Sequence, residues 1–256
     1  MHVKKRMAVN VGEISLDIQF ETNKFMKHTI VISLYNTEAF IFDAITSLAF
    51  QEKKPSQIII VDDCSTDKSL FRLKEALSFF APQFLLTDIQ IIELKENKGS
   101  GNARNIGLER ANGDLISFLD ADDYYTYYCL AEVSAVMQRE NIVVLILGIL
   151  LVPSENYLPN IKSFEAELDF VSNGLFLIPN ALHTIFSSDL IIGSNVVIQR
   201  KHLKNFRFEI NNSFGGKINF WFRVLKNLDK NNRVGLLNKA CVEIREVKEN
   251  DSFTSF

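Results

Sequence analysis

Between His28 and Asp123, short apolar runs alternate with amphipathic stretches, and this alternation restricts the possible folds more than any other feature. Thr29–Leu34 (TIVISL), Gln57–Val61 (QIIIV), Ile89–Leu94 and Leu115–Leu119 (LISFL) are brief and β-branched-rich, as buried strands are. Glu38–Gln51, Lys68 to Phe80 and Asn102–Ala111 lie between them and carry apolar residues at helical spacing. Such alternation predicts βαβ units with right-handed crossovers and a parallel sheet covered on both faces. The fold class is therefore α/β, with a Rossmann-like, mainly parallel central sheet and helices on both faces. Ligands of open α/β sheets sit beyond the carboxyl ends of the strands. Here those ends carry Tyr35-Asn36, Asp62-Asp63 and Asp120, Asp122 and Asp123.

The flanking regions are less periodic. Residues 1–27 read as an N-terminal extension, within which Glu13–Phe20 alternates as an edge strand does. Tyr124–Glu140 reads as a helix. Ile142–Val152 is an 11-residue apolar run stopped by Pro153, well below the ~18 residues of a membrane span, and so a buried strand. Ser154–Asn180 mixes loop and weak helix, Asp189–Arg200 includes a strand, Lys217–Leu228 is an amphipathic helix, and Arg233–Arg245 contains another strand. No repeat and no Pro- or Gly-rich linker interrupts the chain, which predicts one compact unit: residues 28–128 form one functional half and 129–256 the other.

Composition excludes several classes. The 28 basic and 31 acidic side chains leave a net charge of −3, so no basic field exists to hold nucleic acid by counterion release. Cys64, Cys129 and Cys241 are odd in number and lack CxxC spacing; they predict reduced thiols in the cytoplasm rather than a disulfide framework or a zinc site. Lys4, Lys5 and Arg6 are not followed by the apolar stretch of a secretory signal. Three charges give at most a weak peripheral contact with the inner face of a membrane. The four histidines are scattered and form no spaced ligand set with Cys or Glu.

Two acidic stretches carry the chemistry. Asp120-Ala121-Asp122-Asp123 places three carboxylates in four positions after an apolar strand. Their mutual repulsion would be relieved by a hard divalent ion, and Mg²⁺ or Mn²⁺ is commonly held by one or two carboxylates plus substrate phosphates. A solvated acidic turn before a helix accounts for the same pattern. In Asp62-Asp63-Cys64-Ser65-Thr66-Asp67, the later residues suit a helix N-cap. That leaves the Asp62-Asp63 pair for hydrogen bonding to a base or ribose. Gly99 and Gly101 read as a turn before a helix, since no Walker lysine or GxGxxG spacing accompanies them. The tyrosines at 124, 125, 127 and 128, with Trp221, read mostly as core, with stacking on a sugar as the minority role.

Four motifs occur in order: Ile32-Ser33-Leu34-Tyr35-Asn36; Val61-Asp62-Asp63-Cys64-Ser65-Thr66-Asp67; Asn97-Lys98-Gly99 with Ala103-Arg104-Asn105-Gly107; and Phe118-Leu119-Asp120-Ala121-Asp122-Asp123. Together they resemble glycosyltransferase family 2, inverting nucleotide-sugar-dependent enzymes of GT-A fold, over residues 28 to 128. The resemblance implies that Tyr35 contacts the nucleobase and that Asp62 or Asp63 binds the base or ribose. It implies a DxD-type motif at Asp120 and Asp122, with Asp122 the direct ligand of Mn²⁺ or Mg²⁺. Arg104 would position donor phosphates, or form a salt bridge to the acidic strand ends. The implied donor is a nucleotide-diphosphate sugar, commonly UDP-linked. The acceptor would be a glycan or a lipid-linked sugar, in the biosynthesis of bacterial surface polysaccharide.

The late helix departs from the family pattern. Where members carry a Glu-Asp pair with the Asp as base, this chain reads Gly216-Lys217, followed by Phe220, Trp221 and Arg223 in the expected aromatic/Arg pattern. A protonated lysine cannot act as a base unless burial lowers its pKa by several units. Between Phe170 and Leu228 the carboxylates are Asp189 and Glu209, and Glu209 is the preferred substitute base. The same departure would arise in an impaired paralogue that binds nucleotide sugar as an assembly partner. It would also arise if the helix were out of register, with Lys217 away from the cleft. A nucleotidyltransferase fits less well, because the loop after the first strand, Tyr35-Asn36-Thr37-Glu38, is not Gly-rich.

Overall fold

The computed structural model describes residues 3–11, 14–22, 26–188, 190–191, 193–210 and 216–246, the first two stretches by backbone alone. β1 (Val3–Val11) and β2 (Ile14–Thr22) pair with each other antiparallel, from Val3 opposite Thr22 to Val11 opposite Ile14. They form a sheet separate from the main one. The alternation at Glu13–Phe20 does mark a strand, but its partner is the preceding segment.

The main sheet begins with β3 (His28–Leu34). It continues through α1 (Ile41–Ala49), β4 (Gln57–Asp62), α2 (Ser69–Phe79), β5 (Asp88–Glu93), α3 (Ser100–Arg110) and β6 (Leu115–Asp120). β3 pairs in parallel with both β4 and β6, and β4 in parallel with β5. Every residue of β4 is buried, which is why its sequence is a continuous apolar run rather than an alternating one. Successive side chains nevertheless go to opposite faces. Ile30, Ile32, Ile58 and Ile60 pack with Ile41 of α1 and Leu73 of α2 on one side, while Val31, Ile59 and Val61 pack with Ala103 of α3 on the other. α1 buries Ile41, Ala44, Ile45 and Leu48, the i, i+3, i+4, i+7 stripe of a helix lying on a sheet.

After β6 come β7 (Tyr124–Tyr125), α4 (Cys129–Arg139), β8 (Ile142–Val152), β9 (Tyr157–Leu158), β10 (Asp169–Ser172) and β11 (Leu175–Leu177). α5 (Ala181–Ser187), β12 (Val196–Gln199), α6 (Gly216–Lys226) and β13 (Arg233–Arg245) complete the described chain. The strand order is β10-β11-β13-β8-β12-β6-β3-β4-β5. β12 runs antiparallel to both β6 and β8, while β8 and β13 are parallel. The sheet is thus mixed, with its parallel order intact from β6 to β5.

Two stretches differ from expectation. Tyr124–Glu140 is not one helix: Tyr124 and Tyr125 pair with Glu243 and Val242 of β13, and α4 starts only at Cys129. Tyr suits a pleated surface better than a helix, and Tyr125 is buried with its hydroxyl donating to the Ser194 carbonyl at 3.2 Å. Tyr128 also packs on the core, whereas Tyr127 is exposed. Ser154–Asn180 holds the expected loop and weak helix, as single 3-10 turns at Ile161–Ser163 and Glu165–Glu167, and in addition strands of two to four residues that were not expected. Strands so short exist by pairing, β9 with β8, β10 with β11 and β11 with β13, and leave too few residues for a period to show.

Phe118 of β6 anchors the cleft side of the second core. Its ring meets Phe208, Phe220 and Trp221 edge-on at 5.0, 6.3 and 6.3 Å between centroids, while Phe208 and Phe220 stack at 3.7 Å. Burial of each such ring contributes roughly 1.5–3 kcal/mol. The cluster fixes the N-terminal turn of α6 beside the end of β6.

Candidate active site

A cleft of about 360 Å³ opens beyond the carboxyl ends of β3, β4 and β6, where an open α/β sheet places its ligand. Tyr35, 45% exposed, stands on its wall with Thr37. Asp63, Asn97, Gly99, Ser100 and Arg104 line one side, and Asp120, Ala121, Asp122 and Lys217 the other.

Asp63 and Asp62 have separate tasks. The buried Asp63 accepts from the backbone N–H groups of Lys98 (3.0 Å) and Gly99 (2.7 Å), holding the 97–99 loop against the end of β4. Gly99 adopts φ +84° there, a conformation that glycine enters without penalty. Asp62 turns to Ser65, accepting from its N–H at 3.2 Å and its hydroxyl at 2.5 Å, and does not line the cleft. Asp67 accepts from the N–H of Ser69 at 2.9 Å and from that of Glu38 at 3.1 Å, while Glu38 accepts from the N–H of Lys68 at 2.8 Å. The N-cap of α2 is Lys68, without a side-chain cap, so the capping expectation for Ser65, Thr66 or Asp67 fails: Asp67 sits one residue earlier and ties the helix start to Glu38 instead.

Asp120 is the electrostatic centre. Arg104, itself buried, pairs with Oδ1, and Lys217 Nζ lies 2.7 Å from Oδ2. Burial alone would push this carboxyl up, but Arg104 and then Lys217 outweigh it and hold it well below the usual carboxylate range. The Arg104 guanidinium also donates to Ser100 Oγ at 3.0 Å and sits over the Phe208 ring. Arg104 therefore makes the salt bridge and lines the cleft as well, so the two expectations for it are compatible.

The acidic turn is not a solvated one. Burial and the neighbouring Asp120 raise the Asp122 carboxyl, and the same two causes push Asp123 up to about 8. Asp123 is buried and accepts from the Ser194 hydroxyl at 2.6 Å, while Ser194 Oγ accepts from the Asp120 N–H at 2.9 Å. Ser194 thus ties the turn to the 193–195 strap. Neither Gly193 nor Ser194 stood out in the sequence, although Gly-Ser-Asn before a strand is a turn signal. Gly193 has φ +149°, and a Cβ there would lie 3.1 Å from Lys217 Nζ and 3.2 Å from Asp120 Oδ2.

Lys217 lines the cleft, which overturns the expectation that a shifted register would take it elsewhere. Glu209, the preferred substitute base, does not line it. Its carboxylate accepts from the side-chain amide of Asn219, and its backbone carbonyl abuts Gly101. Phe208, Phe220 and Asn219 set that position by fixing where the segment runs. Asp189 lies outside the described residues, as do Phe214 and Gly215.

The side chains at Asp120 and Asp122 match a divalent ion poorly. Among the described residues no three His, Cys, Asp or Glu side chains converge as a ligand set. Both oxygens of Asp120 are already engaged by cations and both of Asp63 by the Lys98 and Gly99 N–H groups, which leaves Asp122 as the remaining carboxylate of the cleft lining. One carboxylate beside two cationic side chains does not fit an Mg²⁺ or Mn²⁺ held jointly by Asp120 and Asp122, since such ions demand several oxygen ligands.

The chain matches the family described as Glycosyl transferase family 2 over residues 29–214, well beyond the four motifs. The poly(ribitol-phosphate) beta-N-acetylglucosaminyltransferase TarS of Staphylococcus aureus (strain Mu50 / ATCC 700699) is 30% identical over 125 residues, 48% of this chain and 21% of TarS. The UDP-Glc:alpha-D-GlcNAc-diphosphoundecaprenol beta-1,3-glucosyltransferase WfaP of Escherichia coli is 28% identical over 184 residues, 70% of this chain and 63% of WfaP. The chain thus spans about a fifth of TarS and under two thirds of WfaP. The crystal structure of S. aureus TarS 1-349 in complex with UDP-GlcNAc superposes with a TM-score of 0.69 at 22% identity, covering 90% of this chain and 62% of that one. That likeness shows the fold, the GT-A arrangement.

Proposed function

The chain belongs to glycosyl transferase family 2, and from that premise we propose that it moves a sugar from a nucleotide-diphosphate sugar to a glycan or lipid-linked acceptor, with inversion, in surface polysaccharide assembly. The observation that carries this reading is the cleft itself. It has an aromatic ring at Tyr35, a carboxylate-pinned loop at Asp63, and two cations, Arg104 and Lys217, reaching the same wall. A nucleoside diphosphate needs that combination: a flat face for the base and positive charge for the phosphates. A UDP-linked donor is favoured by the likeness to a TarS structure holding UDP-GlcNAc and by the UDP-Glc donor in the name of WfaP.

In this reading the nucleobase rests on Tyr35 and the ribose lies near Asp63, with the diphosphate beside Arg104 and Lys217. The acceptor hydroxyl oxygen bonds to the anomeric carbon, the bond from that carbon to the phosphate oxygen breaks, and the electron pair leaves on the diphosphate. A carboxylate takes the hydroxyl proton. With Glu209 off the cleft wall, Asp189 is the retained candidate. No step is routed through a metal, because the residues present do not fit one at Asp120. Among the described residues no helix is long and apolar enough to cross a membrane.

Thermal unfolding with UDP, GDP, CDP and dTDP tests the donor site. A nucleotide bound only by the folded state adds about 2.7 kcal/mol at a hundredfold excess over Kd. A shift with one nucleotide, followed by transfer or hydrolysis of its sugar conjugates, is expected. Absence of any shift at millimolar nucleotide would remove the reading. Lys217 in the place of the family's base favours one alternative, a chain that binds nucleotide sugar without turnover. Binding without hydrolysis or transfer across an acceptor panel would establish that alternative.

A further inference from the structure

We propose that the Lys217 ammonium is the resident cation of the cleft: it binds the donor's diphosphate oxygens directly and makes nucleotide binding independent of a divalent ion. The inference rests on the donor-site reading above and names how that site carries its charge.

Three observations support it. First, Lys217 is placed to serve two partners. Its Nζ contacts Asp120 Oδ2 at 2.7 Å, and its side chain keeps 38% exposure on the cleft wall. An ammonium has three donors, so one held by Asp120 leaves donors for a ligand entering the cleft. Second, its position runs against the local field. Lys217 is the second residue of α6, whose first turn holds no acidic side chain. A cation there opposes the helix dipole, and Asp120 is the group that compensates it. Third, the backbone keeps room for the contact. Gly193 takes φ +149°, and a Cβ at that position would lie 3.1 Å from Lys217 Nζ. A side chain there would crowd the ion pair.

The charge pattern favours an ammonium over a dication. Asp120 is paired with Arg104 on one oxygen and Lys217 on the other. An ion seated on Asp120 would have to break one of these pairs and then sit against two positive groups. A diphosphate brings its own negative charge and meets both cations without displacing either from Asp120. Arg104, buried and stacked over Phe208, is the fixed member of the pair; Lys217, on a longer and more exposed stem, is the one able to follow the phosphates.

Titration calorimetry with UDP, GDP, CDP and dTDP tests this, each run in EDTA and again with Mn²⁺. The wild-type chain is expected to bind one nucleotide with Kd unchanged within about twofold between the two conditions. Lys217→Met is expected to weaken that binding tenfold or more in both. Lys217→Arg keeps the charge and should retain most of the affinity, which separates lost charge from lost fold; circular dichroism melts check that each variant is folded. Lys217→Asp should bind poorly in EDTA and recover with Mn²⁺. Wild-type binding that vanishes in EDTA and returns with Mn²⁺ overturns the proposal and leaves the donor site standing. So does Lys217→Met binding as the wild type does. No nucleotide binding under either condition overturns the donor site and this inference with it.

Discussion

Asn105 and Phe208 close a ring of two hydrogen bonds: the Asn105 side-chain amide donates to the Phe208 carbonyl at 2.9 Å, and its oxygen accepts from the Phe208 N–H at 2.7 Å. The amide does for this segment what a neighbouring strand would do, satisfying two buried backbone groups from within α3. It also places Phe208 where it stacks on Phe220 and lies beneath the Arg104 guanidinium. Asn105→Ala leaves both backbone groups unpaired, at about 1–3 kcal/mol each. The expected loss is therefore about 2–6 kcal/mol in urea unfolding, with weaker nucleotide binding because Arg104 loses its support. Asn105→Asp keeps the acceptor and removes the donor, and should also destabilise. A loss under ~0.5 kcal/mol for Asn105→Ala, within the range of an ordinary surface substitution, would show that the ring does not hold the segment.

The pH dependence of stability should carry a signature of His28. Its Nε2 shares a 2.8 Å hydrogen bond with Ser117 Oγ, its Nδ1 has no partner, and burial, aided by Lys53, lowers its pKa to about 3. The unfolded chain takes up a proton near pH ~6.5 that the folded chain refuses. The stability from the neutral ring is therefore complete above about pH 6.5 and is lost as pH falls toward ~3, at about 1.4 kcal/mol per pH unit. Between about pH 6.5 and 5 that amounts to roughly 2 kcal/mol. His28→Gln should flatten that slope when urea unfolding is compared at the two pH values. Parallel slopes for variant and wild type would place the acid sensitivity elsewhere.

How much of this could be read from the residues differs between the two halves. The strands β3, β4 and β6 are buried on both faces, so their apolar runs are unmistakable, and the carboxylates at their ends point to the site without any structure. β9, β10 and β11 were not legible, because each has four residues or fewer and is held by its partner strand: β9 by β8, β10 by β11, and β11 by the distant β13. The helical expectation for Tyr124 and Tyr125 fails on the same ground: their partner, Val242 with Glu243, lies over a hundred residues on. The chemical content of the site divides similarly. Asp63 and Asp120 declare themselves by motif. That Asp120 is gripped by two cations depends on where α3 and α6 land, as does the withdrawal of Glu209 from the cleft wall. No local pattern encodes those contacts.

Asp63 offers a test of the loop that borders the donor site. Its two oxygens receive the N–H groups of Lys98 and Gly99. Asp63→Asn turns an NH₂ group toward one of those donors and loses the charge assistance of the other. Hydrogen bonds to a charged group contribute about 1.5–3 kcal/mol, so a stability loss in that range is expected, with at least tenfold weaker nucleotide binding. Hydrogen exchange should localise the change to residues 97–100. Unchanged protection of the Gly99 amide would mean that the loop is held by something else.

Gly107 sets two effects of similar size against each other. Exposed on a simple helix, Gly→Ala would gain about 1 kcal/mol from helix propensity. Here a Cβ at Gly107 would come within 2.2 Å of Val31 Cγ1, and Val31 is fully buried in the middle of β3. The clash is with the branched side chain of a central strand, which cannot swing aside in a packed core. Overpacking of this kind costs about 1–3 kcal/mol, so it outweighs the propensity gain and Gly107→Ala should be destabilising on balance. Because α3 carries Arg104 and Asn105, a helix pushed off β3 should also loosen the grip on Asp120. The double variant Gly107→Ala with Val31→Ala removes the colliding methyl groups, and the two substitutions should couple favourably by about 1 kcal/mol or more in a double-mutant cycle. Additive losses would show that the helix shifts without meeting Val31, and the close approach of α3 to β3 would then not be what positions Arg104.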